Sequence, residues 1–212
     1  MQQVWRYPVK SMAGESLERA AINADGIAGD RRLVVSGPHG LVTSRTRPGL
    51  LGLHATLGPD GEPLVENLPA SSAAVAALVR RAAGSGARLA IPDTTDRFDV
   101  LPLLVATDGA IRRFGRDGRR LRPNIVLGGV DGLAEREWEG RRLRIGQVEI
   151  RLDSLRARCV MTTFHPDTLV QDVDVLRDLS DRFGGKLALN CAVEHPGSIT
   201  LGDRAELLAP DG

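Results

Sequence analysis

Cys159 carries the most chemical promise in this chain. It lies in Ser154-Leu155-Arg156-Ala157-Arg158-Cys159-Val160-Met161-Thr162-Thr163-Phe164-His165-Pro166-Asp167-Thr168. It follows a strand-like run, and Arg158 adjoins it. A guanidinium beside a thiol favours the thiolate, the form that ligates metal or attacks. The polar residues Thr162, Thr163, His165, Asp167 and Thr168 then occupy a loop. On these residues alone the simpler reading is an inert thiol acting as a small hydrophobe. A zinc site would draw on Cys159, His165, Cys191 and His195. The close CxxC or HxxxH spacing of structural zinc is missing, and His195 runs into the turn-forming Pro196-Gly197, so zinc is disfavoured.

Two other groups bear on anions. Tyr7-Pro8-Val9-Lys10-Ser11 and, further on, Gly29-Asp30-Arg31-Arg32 offer an ammonium, a hydroxyl and a guanidinium near turns. Together they suit a phosphate or a pterin; singly, each is equally a surface residue. Arg112, Arg113, Arg116, Arg119, Arg120 and Arg122 form a basic run whose default is a solvated face. With only Phe114 to stack on a base, the run makes a poor nucleic-acid signature. Arg122 is its best candidate for a share in an anion site.

These residues need positioning, and the pattern predicts mostly strands with a few helices. Leu143 to Ile145, Gly146-Gln147 and Val148 to Leu152 read as a hairpin with a type II′ turn. Leu53 to Leu57, Pro59-Asp60-Gly61 and Leu64-Val65 read as a second hairpin. Ser198 to Leu201, Gly202-Asp203 and Ala205 to Leu208 read as a third. Helices are expected from Ala73 to Ala83, capped by Ser71 or Ser72 and stopped by Gly84. Others are expected from Asp108 to Gly115, and from Val173 to Phe183 with Leu176, Leu179 and Phe183 on one face. The lean stretch Gly84 to Pro92 marks the expected boundary, giving segments 1–88 and 89–212. Frequent Gly and Pro suit a small barrel.

Composition excludes several classes. Lys and Arg total 28 against 27 Asp and Glu, a formal charge of +1, so no strong field draws the chain to nucleic acid or membrane. No apolar run approaches the roughly 20 residues of a spanning helix, and the opening residues are too polar for a secretory leader. Two cysteines in a chain of 212 residues point to free thiols and a cytoplasmic location.

The motifs in combination resemble the MOSC family. Tyr7 to Ser11 with Gly26-Ile27-Ala28-Gly29-Asp30-Arg31-Arg32 is similar to the N-terminal β-barrel segment that accompanies MOSC domains. Arg122-Pro123-Asn124-Ile125-Val126, with Trp138 and Ile145-Gly146, resembles the opening of the MOSC domain. Arg158-Cys159-x-x-Thr162-Thr163-x-x-Pro166-Asp167-Thr168 resembles its central motif, and Asn190-Cys191 with Gly197-x-Ile199-x-x-Gly202-Asp203 its closing strands. The resemblance implies a mostly β (α+β) fold: a β-barrel MOSC domain, a smaller N-terminal β-rich segment and a few short helices.

The resemblance also implies a molybdenum cofactor (Mo-molybdopterin), with Cys159 as the protein's metal ligand. Lys10, Ser11, Arg31, Arg122 and Asn124 fall on positions that hold pterin and phosphate, and Arg45 and Arg158 are additions. The implied activity is a molybdenum-dependent oxidoreductase removing oxygen from N-hydroxylated or N-oxide small molecules. The alternative is a carrier of persulfide sulfur or of the cofactor. His165 is a candidate proton donor or, equally, a loop cap. Three departures bear on the substrate: Arg156 replaces a cysteine found in relatives, Ala157 a small polar residue, and Phe164-His165 a Val-Asp or similar pair.

The electrons are expected from outside. An iron–sulfur cluster takes about four cysteines, no Gly-x-Gly-x-x-Gly opens a βα unit, and the chain ends at Gly212 just after its last expected strand. A separate flavoprotein reductase or iron–sulfur protein is expected as donor, with Arg112 to Arg120 as a surface for an acidic carrier.

Overall fold

The computed structural model of the chain describes residues 1–209, apart from the side chains of Thr94 and Thr95. The expectation drawn from the chain ending at Gly212 therefore rests on residues outside the described ones.

The β-rich, α+β fold is built on an eight-stranded sheet. Its order is Ala205–Leu207, Arg142–Ile145, Val148–Ala157, Lys186–His195, Leu103–Thr107, Ile125–Leu127, Gln3–Arg6 and Glu15–Ser16. Neighbours are antiparallel except Leu103–Thr107 beside Ile125–Leu127. Leu103, Val105, Ala106 and the whole of Ile125–Leu127 are buried, the continuous apolar character of strands covered on both faces. Hydrogen bonds do not close this sheet into a ring; Ala205–Leu207 and Glu15–Ser16 are its two edges.

Local chemistry accounts for the elements. The Arg142–Ile145 and Val148–Ala157 hairpin turns at Gly146, whose φ of +57° a glycine adopts without penalty. Ala55–Leu57 pairs with Pro63–Val65, the second expected hairpin. Helix Ala73–Ala83 starts at Ser72, whose Oγ accepts from Val75 N at 3.2 Å, and buries Val75, Val79 and Ala83 at helical spacing. Helix Asp108–Phe114 ends on left-handed Gly115, and helix Asp174–Phe183 on left-handed Gly184. The last helix buries Val175 with Leu179 and Phe183; Leu176 is only half-buried beside that face.

The expected C-terminal hairpin does not form. Gly197–Thr200 pairs with Arg19–Asn23, and Ala205–Leu207 with Arg142–Ile145, so the turn at Gly202-Asp203 carries the chain from one sheet to another. The first strand likewise pairs with Ile125–Leu127. The lean stretch 84–92 contains the strand Arg88–Ala90, which pairs back onto Val34–Gly37. Halves adjacent in sequence are thus interleaved in space.

Candidate functional site

The segment Tyr7 to Ser11 is anchored from both sides. Tyr7 N donates to Asp30 Oδ1 at 2.6 Å, and its hydroxyl donates to Pro123 O at 3.1 Å. Asp30 is fully buried; it also receives Asn124 Nδ2 at 3.3 Å and pairs with Arg31. Asn124 is committed to the scaffold: Oδ1 accepts from Leu104 N at 3.1 Å while Nδ2 donates to Trp5 O at 3.2 Å. Ser11 Oγ accepts from Ser44 N at 3.0 Å, fixing the turn that carries Arg45. Ser11, Arg31 and Arg122 have φ of +73°, +47° and +55°, a region that side chains with a Cβ rarely occupy. Such residues persist where surrounding bonds over-determine them, typically at functional sites.

Cys159 stands where the long strand Val148–Ala157 gives way to a 3₁₀ turn, Val160–Thr163. Thr162 N and Oγ1 both donate to Cys159 O, at 3.0 and 2.8 Å, and Thr163 Oγ1 donates to Val160 O at 2.7 Å. The paired threonines therefore shape the turn that holds the thiol. Arg120, nearly buried, donates through Nη1 to Thr162 O at 3.1 Å and Thr163 O at 2.6 Å.

These parts enclose a cavity of about 350 Å³. Lys10, Ser11, Arg31, Arg45, Arg122, Asn124, Arg158 and Cys159 all line it. His165 is the one candidate that does not. Its Nδ1 accepts from Asp167 N at 3.2 Å and Thr168 N at 3.4 Å, closing the loop on itself. Cys191 is buried in the sheet, with its Sγ on Leu189 O and its thiol pushed up by burial. His195 lies exposed against Glu149, so neither joins Cys159.

The cavity is strongly cationic. Burial pulls the Arg122 and Arg158 guanidinium groups down to about 10, yet both stay charged at neutral pH. Arg122 stacks on the Tyr7 ring with 4.3 Å to the centroid. Burial, opposed by Arg122 and Arg31, raises the Tyr7 hydroxyl to about 12, so it stays protonated. Arg158 Nη2 donates to Leu121 O at 2.8 Å, but its Nε and Nη1 are buried without partners. An orphaned buried guanidinium edge on a cavity wall, beside the soft donor Cys159, fits a ligand carrying negative charge and a thiophilic metal.

Sequence reasoning missed Asp99, which also lines the cavity and receives Lys10 Nζ at 3.1 Å, Arg45 Nη2 at 2.8 Å and Arg156 Nη2 at 2.7 Å. Burial raises its carboxyl, but the three cations outweigh burial and hold it below the ordinary range. Burial lowers the Arg45 pKa, but Asp99 and, less strongly, the Cys159 side chain outweigh burial and raise it. Phe98-Asp99-Val100 has no motif to expose it; Arg156 was visible only as a departure.

Most of the basic run 112–122 is engaged in ion pairs, although Arg112 and Arg113 stay exposed. Arg112 pairs with Asp108, Arg116 with Asp172 and Asp178, and Arg119 with Asp117 and Asp167. Arg116, Arg119 and Arg120 are thus struts to the loop and helix after Cys159, whereas Arg112 pairs within its own helix. Among the described residues no helix is long and apolar enough to cross a membrane.

Comparison with known proteins agrees with this geometry. The MOSC domain model matches residues 109–206, and the MOSC N-terminal beta barrel domain model matches residues 1–94. The chain is 32% identical over 144 residues to human mitochondrial amidoxime reducing component 2, covering 57% of this chain and 42% of that protein. The chain thus matches about two fifths of the human protein's length. It is 28% identical to the Macaca fascicularis protein of the same name over 95% of this chain and 81% of that one. A shorter match, 30% over 84 residues, covers 40% of this chain and 10% of the molybdenum cofactor sulfurase of Bombyx mori. In fold, the YUAD protein of Bacillus subtilis superposes with a TM-score of 0.54 at 12% identity, covering 97% of this chain and 93% of that one. With both family models matched in order along nearly the whole sequence, the chain belongs to the MOSC family and carries its N-terminal β-barrel domain ahead of the MOSC domain.

Proposed function

We propose that this chain holds the molybdenum cofactor beside Cys159 and reduces N-hydroxylated or N-oxide small molecules. The observation that carries the reading is the convergence of eight residues, from widely separated stretches, on one cavity with a single thiol in its wall. The matches to amidoxime reducing components and to a molybdenum cofactor sulfurase support a function tied to that cofactor.

The cofactor's phosphate and dithiolene are anionic, and the cavity supplies unspent cations: the free edge of Arg158 and the stacked Arg122. Lys10, Ser11 and Arg31 hold the phosphate end, with Asp30 and Asn124 bracing their backbone. When bound, molybdenum supplies a two-electron oxygen acceptor, with Cys159 as its permanent protein ligand. Overall the N–O bond breaks, two electrons and two protons enter, and the oxygen leaves as water. The electrons come from an external flavoprotein or iron–sulfur protein. We assign His165 to capping its loop, since its Nδ1 is engaged there and it stands outside the cavity wall.

The test is molybdenum and pterin content of protein made in a host that synthesises the cofactor. Wild type and Cys191→Ser retain both, whereas Cys159→Ser loses molybdenum and reductase activity while staying folded. Equal loss in the two variants overturns the reading. Cyanide-labile sulfur on Cys159 without molybdenum establishes the sulfur-carrier alternative instead.

A further inference from the structure

Three cations share one carboxylate at the outer part of the cavity. Side-chain exposure is 45% for Arg45, 25% for Asp99, 18% for Arg156 and 11% for Lys10, so Arg45 and Asp99 are the parts of this knot most open to an entering molecule. One negative charge stands against three positive; with Lys10 assigned to the cofactor's phosphate, one of the two guanidinium groups is left uncompensated. Nearby acids offer little relief: Asp30 is bound to Arg31, Asn124 and the Tyr7 amide, and Asp25 pairs with Arg97. Arg156 has capacity to spare. Its Nη1 donates to Asn190 Oδ1 at 3.3 Å and its Nη2 to Asp99, and the rest of its five N–H groups have no partner among the described residues. Arg156 and Arg158 both line the cavity that holds Cys159.

We infer that the small molecule admitted to this cavity carries an anionic group, a carboxylate or comparable oxyanion, and that Arg156 selects it. This rests on the reductase reading for what happens at Cys159, but not for binding. A carboxylate placed between Arg45 and Arg156 shares guanidinium N–H groups with Asp99, in the planar geometry Arg offers to carboxylates. A cationic molecule of the same shape meets like charge. Because the knot is partly solvated, salt screens the preference.

The experiment is titration calorimetry of protein isolated from a cofactor-producing host, with benzoate and benzamide as unreactive anionic and neutral probes. Benzoate should bind roughly tenfold tighter than benzamide at low salt, the scale of one charged hydrogen-bonding partner, with the ratio shrinking as salt rises. Arg156→Gln should lower the ratio by roughly tenfold, and Asp99→Asn should raise it. A general packing defect would move both variants the same way, so the opposite signs are the signature. Equal wild-type affinities, absence of benzoate binding, or variants shifting together overturns the inference. Turnover of benzamide oxime and its 4-carboxy derivative is measured separately. If benzoate binding behaves as stated and neither oxime is reduced, the reductase reading fails while this one stands.

Discussion

Replacing Arg120 with Met tests whether a buried guanidinium holds the Cys159 turn. Arg120 is 8% exposed and donates to Thr162 O and Thr163 O, the carbonyls that end the turn begun at Cys159. Methionine fills a similar volume but leaves Thr162 O unsatisfied, at about 1–3 kcal/mol, and takes from Thr163 O one of its two donors, Asp172 N remaining at 2.8 Å, at about 1 kcal/mol. Part of that is returned. Burial lowers the Arg120 pKa, and its Nε is buried without a partner, a defect of about 1–3 kcal/mol that the substitution removes. Taking central values, about 3 kcal/mol lost against about 2 returned, the net loss is about 1 kcal/mol. At roughly 2–4 °C per kcal/mol for a chain of this size, Tm falls by about 2–4 °C. Arg120→Lys keeps one donor and should lie between. Thermal unfolding of the three proteins, followed by circular dichroism, gives the values, and molybdenum content shows whether the turn still holds its thiol. An Arg120→Met protein with unchanged or higher Tm would refute the argument, because it would mean the two carbonyls gain nothing from the cation.

Three other outcomes follow from single features. Gly14→Ala and Gly109→Ala should each prevent stable folding, because the added Cβ would lie 2.2 Å from Arg6 O and 2.3 Å from Val130 O, respectively; normal yield and Tm would contradict this. Glu135 is fully buried with Oε1 unpartnered, and burial raises its pKa. A raised folded value means stability is lost as pH climbs from the ordinary carboxylate range through the raised one. Glu135→Gln should therefore gain on wild type over that interval, and a pH-independent Tm difference would show the reasoning wrong. Finally, the purified protein should reduce an N-hydroxylated substrate with dithionite-reduced viologen but not with NADH or NADPH alone, and turnover with nicotinamide alone would remove the need for an external donor.

The cavity-lining residues were legible in the sequence because they sit in short, rigid turns with distinctive neighbours. Lys10-Ser11, Gly29 to Arg31 and Arg122 to Asn124 each combine a charged side chain with a bend, and the structure gives Ser11, Arg31 and Arg122 positive φ. Helices Ala73–Ala83 and Asp108–Phe114 were legible from their caps and stops. Long-range pairing was not. Gly197–Thr200 and Ala205–Leu207 have hairpin spacing, but each finds a better partner far away, because edge backbone groups pair wherever the sheet leaves them room. The charge run 112–122 was only partly legible for a related reason: the partners of Arg116 and Arg119, namely Asp167, Asp172 and Asp178, lie more than 40 residues onward, where no local pattern connects them. Asp99 was invisible because a lone acid in a loop acquires meaning only from the cations folded around it.

The pairing of Arg19–Asn23 with Gly197–Thr200 also sets a timetable for biosynthesis. At roughly 5–20 residues per second on the ribosome, the second strand emerges on the order of ten seconds or more after the first. Throughout that interval Arg19–Asn23 must wait with one edge unpaired, open to aggregation or to a chaperone. The loop bearing Cys159 is itself made late, and Lys186–His195, against which its strand is paired, later still. The cavity around Cys159 is therefore completed only near the end of synthesis. A polypeptide released early would present the turns at Lys10-Ser11 and Arg122 without the thiol, and quality control would meet it as an open sheet.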